Sequence, residues 1–582
     1  MTSARRARWI LVISTLLLVL CVTRLFYVQI VRGPSLAEQG QTVRTSVSEI
    51  AAKRGSIMDA TGLVLADSVQ TYHIAINQVN VRKWRHYEDQ VQSDGTTRSV
   101  LVGKGPAEAA RQLAPLLGMD PVELGGEMVG DGTYVYLKKN VDAVTYREIR
   151  ALGIYGIEWE SVFQREYPND NTAAPVIGTV NEEGTGSSGL EATFDELLEG
   201  TPGKEAFEIA PNGAVMPGGK LTTQEPEDGA TLTTTLHADL QHSVQEILDA
   251  RVQLHQADWG AVVMTDVATN RVLVMADSGS KAPDNASPQT VRSVQYAFEP
   301  GSVGKIVTMA TALEKGTITP TSVFTVPYSL PIPGDSKPIT DIHEHATEDM
   351  TATGILARSS NTGTVMIGEQ LQDKDRYDMM RALGLGETTG IELAGESAGL
   401  VRTPDQWQGR DRYVSMFGQS YMMTALQEAT IMATLGNGGV RLAPRLVQSW
   451  TLADGTVHEA EAVEPVQAMS SETASELLRM MESTADDDSG TGHSSRVDGY
   501  RIAIKTGTAE VGEGTVSTVA GVIPAESPRL AVAVVLYNPK VGQLSGESAG
   551  PLFSEAVTQA VRNLGIPAST TTADLYPVAP EQ

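Results

Sequence analysis

The chain has 582 residues, too many for a single hydrophobic core, so several folded units are predicted. Hydrophobic residues make up 41% and charged residues 20%, near the globular average, which excludes a wholly disordered chain and a many-helix membrane protein. With 44 Lys and Arg against 71 Asp and Glu, the formal net charge is −27, and no long basic cluster follows residue 8, so charge argues against a nucleic-acid partner.

At the N-terminus Arg5, Arg6 and Arg8 precede an apolar run from Trp9 to Thr23. Arg24 interrupts it, and Leu25 to Val31 is apolar again apart from Gln29. A bilayer core needs about 20 helical residues, so 9–31 is predicted to be a transmembrane signal anchor with Arg24 reaching the interface beside Tyr27. The basic flank places residues 1–8 in the cytoplasm and the bulk of a single-pass protein outside the cell membrane. Cleavage as a signal peptide is the competing reading, but no small-x-small site precedes the polar segment from Arg32. Cys21, the single cysteine, lies inside this run, forms no intramolecular disulfide and reads as a small buried hydrophobe.

From Gly33 to about Val47 the sequence is polar and helix-compatible, and reads as a stalk. Arg54 to Ala66, with Asp59, Thr61 and Gly62 in the middle, predicts strand, tight turn, strand. Ala107, Ala110, Leu113, Leu116 and Leu117 give helical spacing within 105–130, and Tyr134 to Leu137 reads as a strand. Gly and Pro are frequent from 165 to 229, which places a domain boundary near Gly229. Beyond it a strand is predicted at Thr231 to Leu236, a helix at Ala238 to Leu254, and two strands within Trp259 to Met275 joined at Ala268-Thr269-Asn270. The signals then alternate irregularly, without a βαβ rhythm, so a mixed sheet flanked by helices is expected. The Thr-, Ala- and Pro-rich end from Ser569 reads as a disordered tail.

The chemistry lies in three short segments. In Glu299-Pro300-Gly301-Ser302-Val303-Gly304-Lys305, Pro-Gly before an apolar run predicts a helix start at Ser302, where exposed N–H groups favour developing negative charge. Lys305, three residues on, falls on the same face, and desolvation would let its amine act as a base. A P-loop reading of Gly304-Lys305 fails because Ile306 follows Lys305 and Glu299 occupies the earlier glycine position. The second segment is Ser359-Ser360-Asn361, and the third is Lys505-Thr506-Gly507-Thr508 after the strand-like Ile502-Ala503-Ile504. Each is common alone; in this order they match the Ser-x-x-Lys, Ser-x-Asn, Lys-Thr-Gly set of penicillin-recognising serine enzymes.

Over nearly its whole length the chain resembles the class B penicillin-binding proteins. Arg54 to Ala66 is similar to the family's membrane-proximal Arg-Gly-x-Ile-x-Asp segment, and Arg165-Glu166-Tyr167-Pro168, Gly189-Leu190-Glu191 and Gly200 to its pedestal motifs. Phe417-Gly418-Gln419, Gln427 and Asn437-Gly438-Gly439 resemble segments between the family's second and third motifs. Together these favour the cell-division branch over the elongation branch. Two departures stand out: Val303-Gly304 replace the family's usual Thr-Phe, and Ile504 replaces the Gly before Lys505, so a reshaped site and altered antibiotic affinity are expected.

The resemblance implies a multidomain α+β architecture: a cytoplasmic tail (1–8), an anchor (9–31), an elongated stalk and pedestal of the dimerisation type (32–228), a serine β-lactamase-like transpeptidase domain with a mostly antiparallel sheet flanked by helices (229–568), and a tail (569–582). It implies crosslinking of peptidoglycan stem peptides ending in D-Ala-D-Ala during septal wall synthesis, with β-lactams as inhibitors. Ser302 would be the nucleophile, Lys305 its base, Ser359 a proton relay and Asn361 the holder of the substrate amide. Lys505, Thr506, Gly507 and Thr508 would be substrate-binding, Lys505 through its positive potential and Thr506 and Thr508 through hydroxyls on the terminal carboxylate, with the N–H groups of Ser302 and Thr508 as oxyanion hole. Implied partners are a polytopic glycan polymerase of the shape, division and sporulation class and other division proteins. A scaffold that activates such a polymerase is the main alternative, and a β-lactamase or a β-lactam sensor a lesser one.

No metal or other cofactor is implied. Asp341-x-His343-x-His345 has the look of a ligand site, but without a further His nearby it reads as a solvated polar segment. Asp486-Asp487-Asp488 lacks the Gly and Glu of a calcium loop and reads as an ordinary loop.

Overall fold

A computed structural model of the chain describes residues 3–33, 35, 45–91, 93, 95–209, 215–280, 290–461, 463–512 and 514–580. The stalk expected between Gly33 and Val47 lies mostly outside these residues. The helix Ser3–Phe26 continues as a π-helical turn over Tyr27–Val31, and Arg5–Val31 is long and apolar enough to cross a membrane. Its two threonines hide their polarity, since the hydroxyls of Thr15 and Thr23 donate to the carbonyls of Leu11 and Val19 at 2.9 and 2.8 Å.

The chain divides into two compact units, each assembled from separated stretches. Met1–Lys53, Gln70–Phe163 and Gly200–Gly229 form the first; Arg54–Val69, Gln164–Glu199 and Ala230–Gln582 form the second. Two stretches that the sequence places before the Gly229 boundary therefore fold with the residues beyond it.

In the first unit, Thr45–Ile50, Gly203–Ile209 and Val215–Gln224 make a three-stranded antiparallel sheet. A second layer packs Ile74, Ile76, Leu137 and Val141 against Ala110, Leu113, Leu117, Leu124 and Ile149. The helical spacing of 105–130 resolves into two helices, Gly105–Leu117 and Pro121–Glu127. Gly118 ends the first with φ +63°, and the Asp120 carboxylate accepts from the N–H groups of Val122 and Glu123 to start the second.

The second unit opens with the predicted hairpin. Ile57–Met58 pairs antiparallel with the start of the strand Val64–Ile76, and the Asp59 carboxylate gathers the N–H groups of Thr61 and Leu63 to hold the turn. Its main sheet runs, in spatial order, Val272–Asp277, Trp259–Asp266, Leu530–Tyr537, Gly514–Ile523, Ala503–Val511, antiparallel throughout. One face is covered by the helices Ala238–His255 and Ala549–Asn563, with Leu240, Val244, Phe553 and Val557 against Val262, Val532 and Val534. The other face packs Ala261, Val263, Ala533 and Val535 into a core shared with the helices Lys305–Glu314, Ala425–Gly436 and Ser471–Asp486. Burial on both faces explains why 530–536 reads Leu-Ala-Val-Ala-Val-Val-Leu with no polar alternation.

The end of the chain departs from expectation. Residues 569–580 are laid down in order rather than left loose: the Ser569 N–H donates to the Gly499 carbonyl at 2.9 Å, Arg479 stacks over the Tyr576 ring at 3.9 Å, and the Thr351 hydroxyl donates to the Pro577 carbonyl at 2.6 Å. Pro and Thr deny this segment a helix or strand, but its carbonyls and one tyrosine are enough to dock it.

Candidate active site

Ser302 sits in a 3₁₀ turn, Gly301–Gly304, rather than in the first α-helical turn; the α-helix proper begins at Lys305. The turn is pressed against the strand Ala503–Val511. Gly301 adopts φ +53°, and a Cβ there would meet the Thr508 carbonyl, while a Cβ on Gly507 would meet the Pro300 carbonyl at 2.6 Å. The two glycines let the Ser302 turn and the strand approach this closely, which gives Gly507 a packing reason to be in its motif. The Gly301 N–H donates in turn to the Gly418 carbonyl at 3.0 Å.

Lys305 is fully buried, and its Nζ lies 2.8 Å from Ser302 Oγ, 2.6 Å from the Ser359 carbonyl, 3.1 Å from Ser359 Oγ and 2.8 Å from Asn361 Oδ1. The Ser359 carbonyl and Asn361 Oδ1 are acceptors only. In the neutral amine they take its two N–H groups and leave the lone pair for the Ser302 hydroxyl. Desolvation pushes Lys305 down to about 7, against the opposing pull of the Asp341 carboxylate, so the neutral form is accessible near physiological pH.

Ser359 joins the helices Ala352–Ala357 and Asn361–Gly368 with φ +60°, an unusual conformation for a non-glycine residue. The flanking residues over-determine it: Thr351 caps the first helix, and the Ser360 hydroxyl accepts from the Gly363 N–H at 2.9 Å to cap the second. Ser359 Oγ also receives Lys505 Nζ at 3.0 Å. Lys505 is buried, and desolvation together with the neighbouring Lys305 charge holds it well below the usual lysine range. Thr506 Oγ1 lies 2.6 Å from Thr491 Oγ1, and Thr508 Oγ1 accepts from the Ser545 N–H at 3.3 Å.

These groups meet at a cleft of about 460 Å³ lined by Ser302, Ser359, Thr506, Thr508, Thr491 and Ser545, among others. All eight residues singled out from the three motifs are thus brought together, four of them lining the cleft, Lys305, Lys505 and Gly507 buried behind these, and Asn361 half-buried beside them. Thr491 and Ser545 join them unannounced, because nothing in the loops Ser489–Thr491 and Leu544–Glu547 marks them locally. Asp341 and His345 correct an expectation: they are not a solvated polar segment. Asp341 is 9% exposed, both line the cleft, and the Asp341 carboxylate accepts from the N–H groups of Asn361 and Thr362.

The expected reshaping at Val303, Gly304 and Ile504 is not seen on the cleft side. Val303 is buried in the core shared with the helices, and Ile504 joins the core on the opposite face of the sheet. Where a larger residue at 304 would project, the space holds the Tyr421 hydroxyl and the Gly418 backbone. Gln427 closes a capping box with Thr424 and donates to the carbonyls of Glu387 and Ala398, so it braces the wall rather than touching the cleft. Replacing Gly507 by Ala is expected to lower acylation by serine-directed reagents roughly tenfold by pushing the strand off the Ser302 turn; an unchanged second-order rate constant would refute this packing role.

Two family models match the chain: the penicillin-binding protein transpeptidase domain over residues 260–558 and the penicillin-binding protein dimerisation domain over 49–234. The penicillin-binding protein PbpB of Mycolicibacterium smegmatis is 32% identical over 585 residues, covering 95% of this chain and 89% of that protein. The peptidoglycan D,D-transpeptidase FtsI of Escherichia coli K12 is 30% identical, covering 95% of this chain and 90% of that one. Among solved structures, penicillin-binding protein 3 from Mycobacterium tuberculosis complexed with ampicillin superposes with a TM-score of 0.69 at 26% identity, covering 92% of this chain and all of that one.

Proposed function

The chain belongs to the class B penicillin-binding proteins of the division type, the peptidoglycan D,D-transpeptidases, and from that premise we propose that Ser302 is its acyl-accepting nucleophile and Lys305 the base that activates it. The observation that carries the assignment is the buried Lys305 amine, 2.8 Å from Ser302 Oγ with its other bonds taken by fixed acceptors.

Ser302 Oγ attacks the carbonyl between the last two D-alanines of a stem peptide while its proton passes to Lys305. The N–H groups of Ser302 and Thr508 receive the oxyanion, a contribution of about 2.7 to 4 kcal/mol for a single donor in comparable sites. Collapse breaks the peptide C–N bond, and the proton reaches the departing amine through Ser359 Oγ, 3.1 Å from Lys305 Nζ, so D-alanine leaves. An amine of a neighbouring stem peptide then attacks the ester, returns the hydroxyl to Ser302 and completes the crosslink. Thr506 and Thr508 hold the terminal carboxylate, whose charge favours protonation of the neighbouring Lys505. Asn361 orients the substrate amide. A β-lactam enters the same path through its ring amide, but no D-alanine leaves. Ampicillin on the Mycobacterium tuberculosis relative supports this.

The apolar helix is a single-pass anchor, and the flanking Arg5, Arg6 and Arg8 support a cytoplasmic N-terminus with residues from 32 onward outside. Crosslinking consumes freshly polymerised glycan at the same membrane, which supports a polytopic glycan polymerase and other division proteins as partners. The domain limits at 31/32, 228/229 and 568/569 are part of this proposal as divisions along the sequence; in the fold, Arg54–Val69 and Gln164–Glu199 join the unit that runs from Ala230 onward.

The test is mass spectrometry of the detergent-solubilised full chain after incubation with benzylpenicillin. A single adduct of the drug's mass on the Ser302 peptide is the expected result. An adduct on another serine would overturn the nucleophile assignment.

A further inference from the structure

Asp341 lies on the loop between the short strand Ile339–Thr340 and the strand Glu348–Thr351, and its carboxylate collects donors from every side. Oδ1 accepts from the N–H groups of Asn361 at 2.5 Å and Thr362 at 2.9 Å. Oδ2 accepts from the hydroxyl of Ser360 at 2.7 Å and faces His345 Nε2 at 3.0 Å, while the Thr362 hydroxyl, 3.4 Å away, donates to the Pro327 carbonyl at 2.7 Å. The other ring nitrogen, His345 Nδ1, lies 2.8 Å from the Ala346 carbonyl. Both nitrogens therefore face groups with no proton to give, and the ring completes both bonds only as an imidazolium. Asn361 in turn donates from Nδ2 to the Thr340 carbonyl at 2.9 Å, which fixes its Oδ1 toward Lys305.

We propose that Asp341, clamped by His345, is a positioning residue for acylation: it fixes the Ser359–Asn361 turn that supplies three of the four acceptors around Lys305, and its charge sets the field at that amine. This rests on the assignment of Lys305 as the base. Asp341 touches none of the reacting atoms and acts through Lys305 and the turn. The charged neighbours are few. Lys305 faces Ser302, Ser359 and Asn361, with Lys505 across Ser359 Oγ and Asp341 behind. His345 faces Asp341, Glu348 at 3.5 Å and the Tyr328 ring edge-on, and Glu348 is paired with Arg358 at 2.9 Å. Desolvation lowers the pKa of His345, but the Ala346 carbonyl and the two carboxylates outweigh it and hold the ring above its ordinary value.

Two variants should move the charge at Lys305 in opposite directions. Asp341→Asn keeps an oxygen for the Asn361 and Thr362 N–H groups but removes the anion that raises the Lys305 pKa. The acid limb of acylation against pH should therefore move to lower pH, by roughly half a unit. His345→Gln keeps a donor for Asp341 but removes the countercharge, leaving the anion uncompensated, so the limb should move to higher pH. Loss of packing alone lowers the plateau and moves neither limb.

The measurement is the rate constant of benzylpenicillin acylation from pH 5 to 9 on the full-length protein and both variants, with binding and acylation separated by concentration dependence. Opposite displacements of the limb, carried by the acylation step and not by binding, are the expected result. A wild type that acylates while both variants keep its limb overturns this inference alone; a wild type that forms no adduct at all overturns the Lys305 assignment and the inference with it.

Discussion

Replacing Lys305 with Met is expected to cut the acylation rate constant by roughly 10²- to 10⁴-fold, the range that a positioned general base supplies. Met fills the buried space of the lysine chain, but its thioether is far too weak a base to take the Ser302 proton, so the serine loses its positioned proton acceptor. The wild-type rate should rise with pH through about 7 as Lys305 becomes neutral, and the variant should lose that limb. A second readout separates chemistry from folding. Lys305 is held below its unfolded value of 10.5, so between about 7 and 10.5 the unfolded chain binds more protons than the folded one, and stability conferred at this site rises with pH through that window. The difference in unfolding free energy between wild type and Lys305→Met should therefore move in favour of the wild type from pH 7 toward 10. A variant that acylates within threefold of the wild type, or a difference that stays flat across the window, would sink the base assignment.

How far the site is legible depends on which contacts are local. Ser302 and Lys305 are three residues apart on one turn, and Lys505 to Thr508 lie on one strand, so short-range geometry writes both motifs into the sequence. Ser359 to Asn361 are equally plain, because a residue forced to φ +60° between two capped helices needs its neighbours in fixed order. Asp341 is not legible in this way. It caps a helix that begins 20 residues later, and only the fold shows that the apparent ligand pattern with His345 is a helix cap and a charge clamp. Thr491 and Ser545 reach the cleft from loops whose composition is that of any turn. The departures at Val303, Gly304 and Ile504 look threatening for a related reason: a sequence does not say that Ile504 points to the far side of the sheet or that Tyr421 stands where a side chain at 304 would lie.

Removing the Glu191 side chain, by contrast, is expected to leave the chemistry intact and cost about 3 to 5 kcal/mol of stability, the penalty for orphaning buried charge. Glu191 is fully buried and bridges two arginines, Arg54 Nε at 2.8 Å and Arg165 Nε at 2.6 Å, whose side chains are only 8% and 3% exposed. Arg54 keeps Asp195 at 2.7 Å, but Arg165 is left with the Gly55 carbonyl and the Ser68 hydroxyl, neither of which carries charge. The pair of arginines ties Arg54-Gly55, at the start of the hairpin, to the short helix Gly189–Thr193, which explains why three motifs far apart in sequence appear together. Calorimetry of Glu191→Ala should show the loss, while Glu191→Leu combined with Arg165→Met should recover part of it, because an apolar pair restores packing without leaving a charge behind. At a temperature where Glu191→Ala is still folded, its benzylpenicillin acylation should stay within about twofold of wild type, since none of these groups lines the cleft. A loss below 1 kcal/mol would mean that water reaches Arg165 once the carboxylate is gone, and the network would then be a surface ion pair in all but depth.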